Sequence, residues 1–213
     1  MTRPILAMFL AALLTTNHAF ADELPCRLPV GDKWPKKRKH VDPHFPEKLR
    51  AIHATGIVFL DCVIGYDGRI ETVQRLAGPD AFSEVAIAAV RRWAYEPPLL
   101  DGRPARVAVT VSVFWFSDQS RLQRLYLEGL ADSNDLVRET SARDLGHLRV
   151  GVDELVGALQ DPSPRVRAAA AQALGNNGRK ARKAIPVLTS LGQDPDPRVR
   201  DLAAWAIKQA GGK

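Results

Sequence analysis

One seven-residue pattern recurs three times in the second half of the chain and restricts its fold more than any other feature. Asp132-Ser133-Asn134-Asp135-Leu136-Val137-Arg138 returns as Asp161-Pro162-Ser163-Pro164-Arg165-Val166-Arg167 and again as Asp194-Pro195-Asp196-Pro197-Arg198-Val199-Arg200. The valines stand 29 and 33 positions apart. Five positions beyond each comes Ala142, Ala171 or Ala204, and eight beyond comes Leu145, Leu174 or Ile207. That spacing puts the three apolar residues on one face of a helix. Asp accepts free N–H groups at a helix start and Pro suits the first turn, so each Asp-Pro piece predicts a helix N-terminus. Gly146, Gly175 and Gly211 are expected to end the helices. Partner helices are expected at 122–131, 152–160 and 182–191. Three helical hairpins then stack as a short solenoid over residues 118–213, because a repeat of this length buries its apolar stripe only against its neighbours.

The stretch before it has a different texture. Over Gly56–Ile70, Val58, Leu60, Cys62 and Ile64 alternate onto one face of a strand. Tyr66-Asp67-Gly68 supplies a hairpin turn, since Gly reaches positive φ without steric cost. A second strand runs from Arg69 to Leu76 and breaks at Ala77-Gly78-Pro79-Asp80. From Phe82 to Ala94 the apolar residues Phe82, Val85, Ala86, Ala89, Val90 and Trp93 keep helical spacing. Tyr95-Glu96-Pro97-Pro98 and Asp101-Gly102 lead to a last strand in which Val107, Val109, Val111, Val113 and Trp115 share one face. Arg106, Ala108, Thr110 and Ser112 fall on its other, outward face. The fold class is α+β: a small sheet-and-helix domain over 43–117, followed by the all-α solenoid.

This order resembles the C-terminal domain of the TonB family. The resemblance is carried by Phe45-Pro46, Gly56-x-Val58, Asp67-Gly68-x-Ile70, Ala77-Gly78, the run Ala88-Ala89-Val90-Arg91-Arg92-Trp93-x-Tyr95-x-Pro97, Gly102-x-Pro104 and the final strand. Leu49 and Phe82-Ser83 depart from the usual pattern as changes in packing. The resemblance implies a domain that binds by adding a partner's extended segment to its sheet edge, with the final strand as that edge. Arg106, Ala108, Thr110 and Ser112 would then tune specificity. The implied partner is an envelope protein, such as the periplasmic segment of an outer-membrane transporter. The alternative is that the strand completes the sheet or pairs with a second copy as a homodimer. The helical units resemble HEAT repeats of the short Ala-rich type also found in bilin-lyase-like proteins. In such a stack Arg138, Arg167 and Arg200 are expected to pair with Asp residues of neighbouring repeats, the alternative being a binding ladder.

The N-terminus reads as a secretion signal over residues 1–21. Arg3 precedes the apolar run Ile5–Leu14, and Ala19-Phe20-Ala21 is a small-x-small cleavage site before Asp22. The run is shorter than the roughly 20 apolar residues of a spanning helix, so a cleaved leader is expected, with an uncleaved anchor as the alternative. Residues 22–42, holding Lys36-Lys37-Arg38-Lys39-His40, are expected to form a basic, irregular, solvated linker. The sharper reading of this run is a patch for anionic lipid heads or cell-wall polymers. Net charge is +6 with a pI near 9.6, but both signs are spread along the chain, and no nucleic-acid partner is expected.

Cys26 and Cys62, the only cysteines, would lie in an oxidising compartment and can either form a disulfide or leave Cys62 as a small buried apolar residue. His40 and His44 flank Asp42-Pro43, yet no third ligand follows, so no metal is expected. His53 and His147 stand apart. There is no Ser-His-Asp order, no Gly-rich phosphate loop and no paired-carboxylate helix. The expectation is a periplasmic adaptor without enzymatic activity or cofactor. The alternatives are a TonB-type energy transducer for outer-membrane transport and, with less support, a lyase-like enzyme.

Overall fold

The computed structural model describes residues 24–50, 54–115 and 119–211, so the leader over 1–21 and His53 lie outside the described residues. The two alternating segments form nine-residue strands, β3 (Gly56–Ile64) and β8 (Val107–Trp115), paired antiparallel from Gly56↔Trp115 to Ile64↔Val107. β4 (Ile70–Ala77) returns beside β3 through the Asp67-Gly68 turn. Gly68 has φ of 81°, and a Cβ there would run into the Tyr95 carbonyl oxygen. α2 (Asp80–Val90) lays Phe82, Ala86 and Val90 on the face formed by Val58, Leu60, Cys62 and Ile64 of β3 and the odd-numbered residues of β8. Phe82 stacks on Trp115 with ring centres 4.6 Å apart. The helix stops four residues short of Ala94. Trp93 turns inward, its indole N–H donating to the Val41 carbonyl at 2.8 Å, and the chain leaves extended.

The opposite face of the sheet is covered too. Ile57 and Phe59 enter a second core with Leu122, Tyr126 and Val137, contributed by α3 (Gln119–Gly129) and α4 (Asp135–Leu148). That core continues through α5 (Val152–Ala158), α6 (Pro164–Asn177), a 3₁₀ segment over Gly178–Ala184, α7 (Ile185–Ser190) and α8 (Pro197–Gly211). The solenoid is therefore docked on the sheet.

The repeated motif works largely as its chemistry suggests. Asn134 Oδ1 accepts the Leu136 N–H, and Asp196 Oδ1 accepts the Arg198 N–H. Asp161 and Asp194 brace the turn just ahead, accepting from the N–H groups of Ser163 and Asp196. Gly146 and Gly175 do not end helices. They lie inside α4 and α6, where an added Cβ would collide with Ala173 and with the Trp205 ring, so glycine there sets how closely consecutive repeats approach. Arg138 forks onto Asp161 at 2.8 and 2.9 Å, and Arg167 onto Asp194 at 2.7 and 2.9 Å. These rungs are the expected pairs between neighbouring repeats, and they are nearly buried.

The segment before Val41 is not an irregular linker. β1 (Cys26–Arg27) pairs parallel with β8, and β2 (Lys37–Lys39) pairs antiparallel with β5 (Ala94–Tyr95). Between them the chain crosses the solenoid. The Leu28 carbonyl accepts from Arg165, Asp32 pairs with Arg198, and Gly31 lies against Leu202. Residues 24–40 thus strap the two parts together. A short hairpin, β6 (Leu99–Leu100) and β7 (Arg103–Pro104), folds over the Asp101-Gly102 turn, and α1 (Glu47–Arg50) precedes β3.

Candidate functional site

The last strand is not the edge of the sheet. The order is β1-β8-β3-β4, with Cys26 opposite Val107 and Arg27 opposite Ala108. The Cys26 N–H donates to the Arg106 carbonyl at 2.9 Å. Past Ala108, however, no strand lies on that flank of β8 among the described residues. The other edge, β4, has no outer neighbour there either, but it shows the protections of a closed edge. Glu71, Thr72, Gln74 and Arg75 are exposed along it, and its pairing with β3 shifts register twice.

The four residues expected to face outward and meet a partner do not stand on a free surface. Arg106 pairs with Glu71. Ala108 is buried. Thr110 is 4% exposed; it donates to Asp61 at 3.1 Å and accepts from Arg27 at 3.1 Å. Ser112 donates to Asp144 at 2.7 Å and shares a 2.8 Å hydrogen bond with the Tyr126 hydroxyl. The cause is the second covered face: the side of the sheet that alternation labels as outward is the side on which the solenoid and Arg27 pack.

What remains open is a cavity of about 510 Å³ along β8 from Ala108 to Ser112. The strap forms one wall with Arg27, Pro29, Trp34 and Pro35. The solenoid forms the other with Glu139, Arg143, Asp144 and His147 of α4 and Arg165 and Gln172 of α6. Its charges hold the walls in place. Arg27 reaches both Asp61 carboxylate oxygens at 2.6 and 2.8 Å. Arg165 forks onto Glu139 at 2.6 and 3.1 Å. Arg143 donates to the Thr110 carbonyl at 3.0 Å and lies 4.4 Å over the Trp34 ring, so it already satisfies one outward backbone group of β8.

Burial, helped by Asp144, pushes the Tyr126 hydroxyl well above its ordinary range, so it stays a neutral donor. Burial pushes the Cys62 thiol up to about 12, assisted by the charge on Asp61. That thiol is inert. Of the two alternatives for Cys62, the structure has the small buried residue and not the bridge to Cys26. Both cysteines are free, Cys26 exposed at the end of β1 and Cys62 packed into the core beneath α2. His40 packs against Trp93 at 4.8 Å between rings and bonds to Asp42, and no group of three metal-ligating side chains occurs among the described residues.

Arg27, Trp34, Arg143 and Arg165 were not singled out from sequence, since each gains its role from a partner at least 26 positions away. One signal did point to them. Ile57 and Phe59 put large apolar groups on the face of β3 that alternation assigns to solvent, as in a sheet covered on both sides.

Comparison with known proteins divides the chain at the same place. Residues 41–115 match the Gram-negative bacterial TonB protein C-terminal family, and residues 124–211 match the HEAT-repeat family. Protein TonB of Klebsiella aerogenes is 35% identical over 72 residues, which is 33% of this chain and 28% of that protein. The chain thus spans little more than a quarter of the curated relative it matches. Among solved structures, the Pseudomonas aeruginosa TonB C-terminal domain is 24% identical with a TM-score of 0.36, over 43% of this chain and 94% of that one. The complex of CpcE and CpcF of phycocyanin lyase from Nostoc is 33% identical with a TM-score of 0.39, over 41% and 36%.

Proposed function

We propose that this chain, a TonB C-terminal domain followed by HEAT repeats, is a non-enzymatic binding protein of the periplasm that grips an extended segment of another envelope protein along the flank of β8. The observation that carries this reading is that, among the described residues, the flank of β8 away from β3 has a strand beside it only at Val107 and Ala108, while a cavity of about 510 Å³ opens along the same flank as far as Ser112. β1 demonstrates that the flank accepts a strand. An incoming segment would gain its affinity from main-chain hydrogen bonds and its selectivity from the walls, Trp34 and Pro35 on one side and Arg143, Asp144 and His147 on the other. The HEAT repeats therefore contribute a wall of the site and not a separate surface. Periplasmic placement is supported by the TonB domain and by the leader-like run Ile5–Leu14 with its Ala19-Phe20-Ala21 site. Catalysis has less support, since the cavity arginines are engaged in ion pairs and Cys62 is sealed in the core.

A photo-crosslinking residue at Trp34, compared with one at Gln74 on β4, tests the site in envelope fractions. Adducts with an envelope protein are expected from position 34. Adducts from position 74 and none from 34 would move the interface to the β4 edge and overturn the proposal. The TonB domain also favours a second reading, an energy transducer serving outer-membrane transport, which requires a retained membrane anchor. N-terminal sequencing of the mature protein separates the two, because a start at Asp22 removes the apolar run.

A further inference from the structure

Lys33, Lys36, Lys37, Arg38 and Lys39 crowd one short run. The fold fixes that run in place. β2 is held against β5, with Lys37 opposite Tyr95 and Lys39 opposite Ala94, and the Lys36 carbonyl accepts the Glu96 N–H at 2.7 Å. β5 follows directly on Arg91 and Arg92 at the end of α2. Trp93 between them packs against His40 and lies 3.5 Å beneath the Lys37 ammonium. Lys37 is thus a structural residue, its pKa lowered by burial. Lys36, Arg38, Lys39, Arg91 and Arg92 are all exposed around this strand pairing, and none of them makes an ion pair among the described residues. Of the acids nearest in the chain, Asp42 is engaged by His40 and Asp32 by Arg198, which leaves exposed Glu96 as the one acid set among five exposed cations.

One apolar side chain accompanies these cations: Leu99, 60% exposed, begins the hairpin that follows Glu96-Pro97-Pro98, whereas Trp34 of the same run turns to the groove beneath Arg143. We infer that this assembled face docks on an anionic phospholipid bilayer, lysines and arginines on the headgroups and Leu99 at the acyl boundary. Like charges gathered on adjacent strands repel one another, and a negatively charged sheet of lipid relieves all five at once. An acidic cell-wall polymer would satisfy the charges but offers no apolar layer for Leu99. The proposal does not require that the groove beside β8 be occupied, and because Lys37, Trp93 and Tyr95 also line that groove it would place the groove near a membrane surface.

The test is co-sedimentation of the purified protein with phosphatidylcholine vesicles, with and without phosphatidylglycerol. Binding is expected to the anionic vesicles only, weakening as salt shortens the Debye length from about 10 Å at 0.1 M to about 3 Å at 1 M. Each cation near an anionic surface contributes roughly fivefold. K36Q/R38Q/K39Q should then lose roughly a hundredfold and R91Q/R92Q roughly 25-fold, with thermal melts unchanged. R179Q/K180Q, which removes two exposed charges from the solenoid, should bind like the parent. No binding of the parent to anionic vesicles would overturn the inference. So would capture by isolated cell-wall sacculi without vesicle binding, or an equal loss in R179Q/K180Q. A loss confined to K36Q/R38Q/K39Q, with R91Q/R92Q unaffected, would also overturn it, since a loose basic run would then act without the assembled face.

Discussion

Replacing Arg167 by Gln tests whether the Arg–Asp rungs hold the solenoid together. Arg167 delivers two charge-assisted hydrogen bonds to Asp194 at 2.7 and 2.9 Å, and its other arm reaches the Asp161 and Pro162 carbonyls. The Asp194 side chain is 4% exposed, so without the guanidinium a buried carboxylate keeps only the Asp196 N–H. Stranding one member of a buried pair costs about 3–5 kcal/mol. The lower end, about 3 kcal/mol, fits here because Arg200 lies close enough to add to the field on Asp194. Arg200 supplies an internal control. It makes the same backbone contacts, to the Asp194 and Pro195 carbonyls, but forks onto no carboxylate among the described residues, so Arg200→Gln should cost about 1 kcal/mol. For a protein of this size each kcal/mol shifts Tm by about 2–4 °C, giving a fall of about 6–12 °C for R167Q against about 2–4 °C for R200Q by calorimetry. Adding D194N to R167Q removes the stranded charge and should recover part of the loss. Equal shifts for the two single variants, or a double variant equal to the sum of its singles, would refute the reasoning.

Acid should find the same rungs. Arg167 holds the Asp194 carboxyl below the ordinary carboxylate range; at Asp161, burial opposes ionisation but the Arg138 fork and the Ser163 N–H outweigh it. Because these pKa values are depressed on folding, their stabilisation is complete above the unfolded-state value near 4 and is lost as pH falls below it. A urea midpoint series from pH 7 to acid should drop in that window and drop less in R167Q/D194N; an unchanged slope counts against the assignment. Thiol labelling of the native protein should modify Cys26 at once and Cys62 only on unfolding, whereas a Cys26–Cys62 bridge in the purified protein, cleaved by dithiothreitol, would contradict the packing of Cys62. Asp61→Ala frees Arg27 from its two-oxygen clasp and should cost about 1–2 kcal/mol, discounted because the pair is partly exposed. Hydrogen exchange should then quicken at Cys26 and Arg27; unaltered protection there would mean that β1 is held by its backbone alone.

The strands around Cys62 and Val111 and the helices after Val137, Val166 and Val199 could be read from sequence because each is specified by local periodicity. The covered second face of the sheet could also have been read, from Ile57 and Phe59. The strap could not. β1 is two residues long, and its anchors at Asp61, Thr110 and Glu139-paired Arg165 lie far along the chain, so no local pattern encodes them. The same blindness misassigned the site. Ala108, Thr110 and Ser112 are small and polar enough to look solvent-facing, yet small size is also what lets α3 and α4 approach a sheet closely. Alternation divides a strand into two faces but does not say that the more polar one is wet.

Each half of the molecule finishes the other. The sheet exposes Ile57 and Phe59 unless α3 and α4 cover them, and the first repeat has no preceding repeat to cover Leu122 and Tyr126. Lys208 of α8 stands at the position equivalent to Gly146 and Gly175, where its long side chain would keep another helix from packing as closely. The first repeat keeps an apolar face and uses the sheet as its cap. Two consequences follow for the groove beside β8. Its walls belong to different domains, so its width is set by how the domains dock and not by either fold alone. The strap crosses the joint, bonding to β8 through Cys26 and to α6 and α8 through Leu28 and Asp32, so any segment that displaced β1 would also loosen the docking. On the proposed reading, a segment pairing beside β1 would spare these strap contacts and would have to displace only Arg143 from the Thr110 carbonyl.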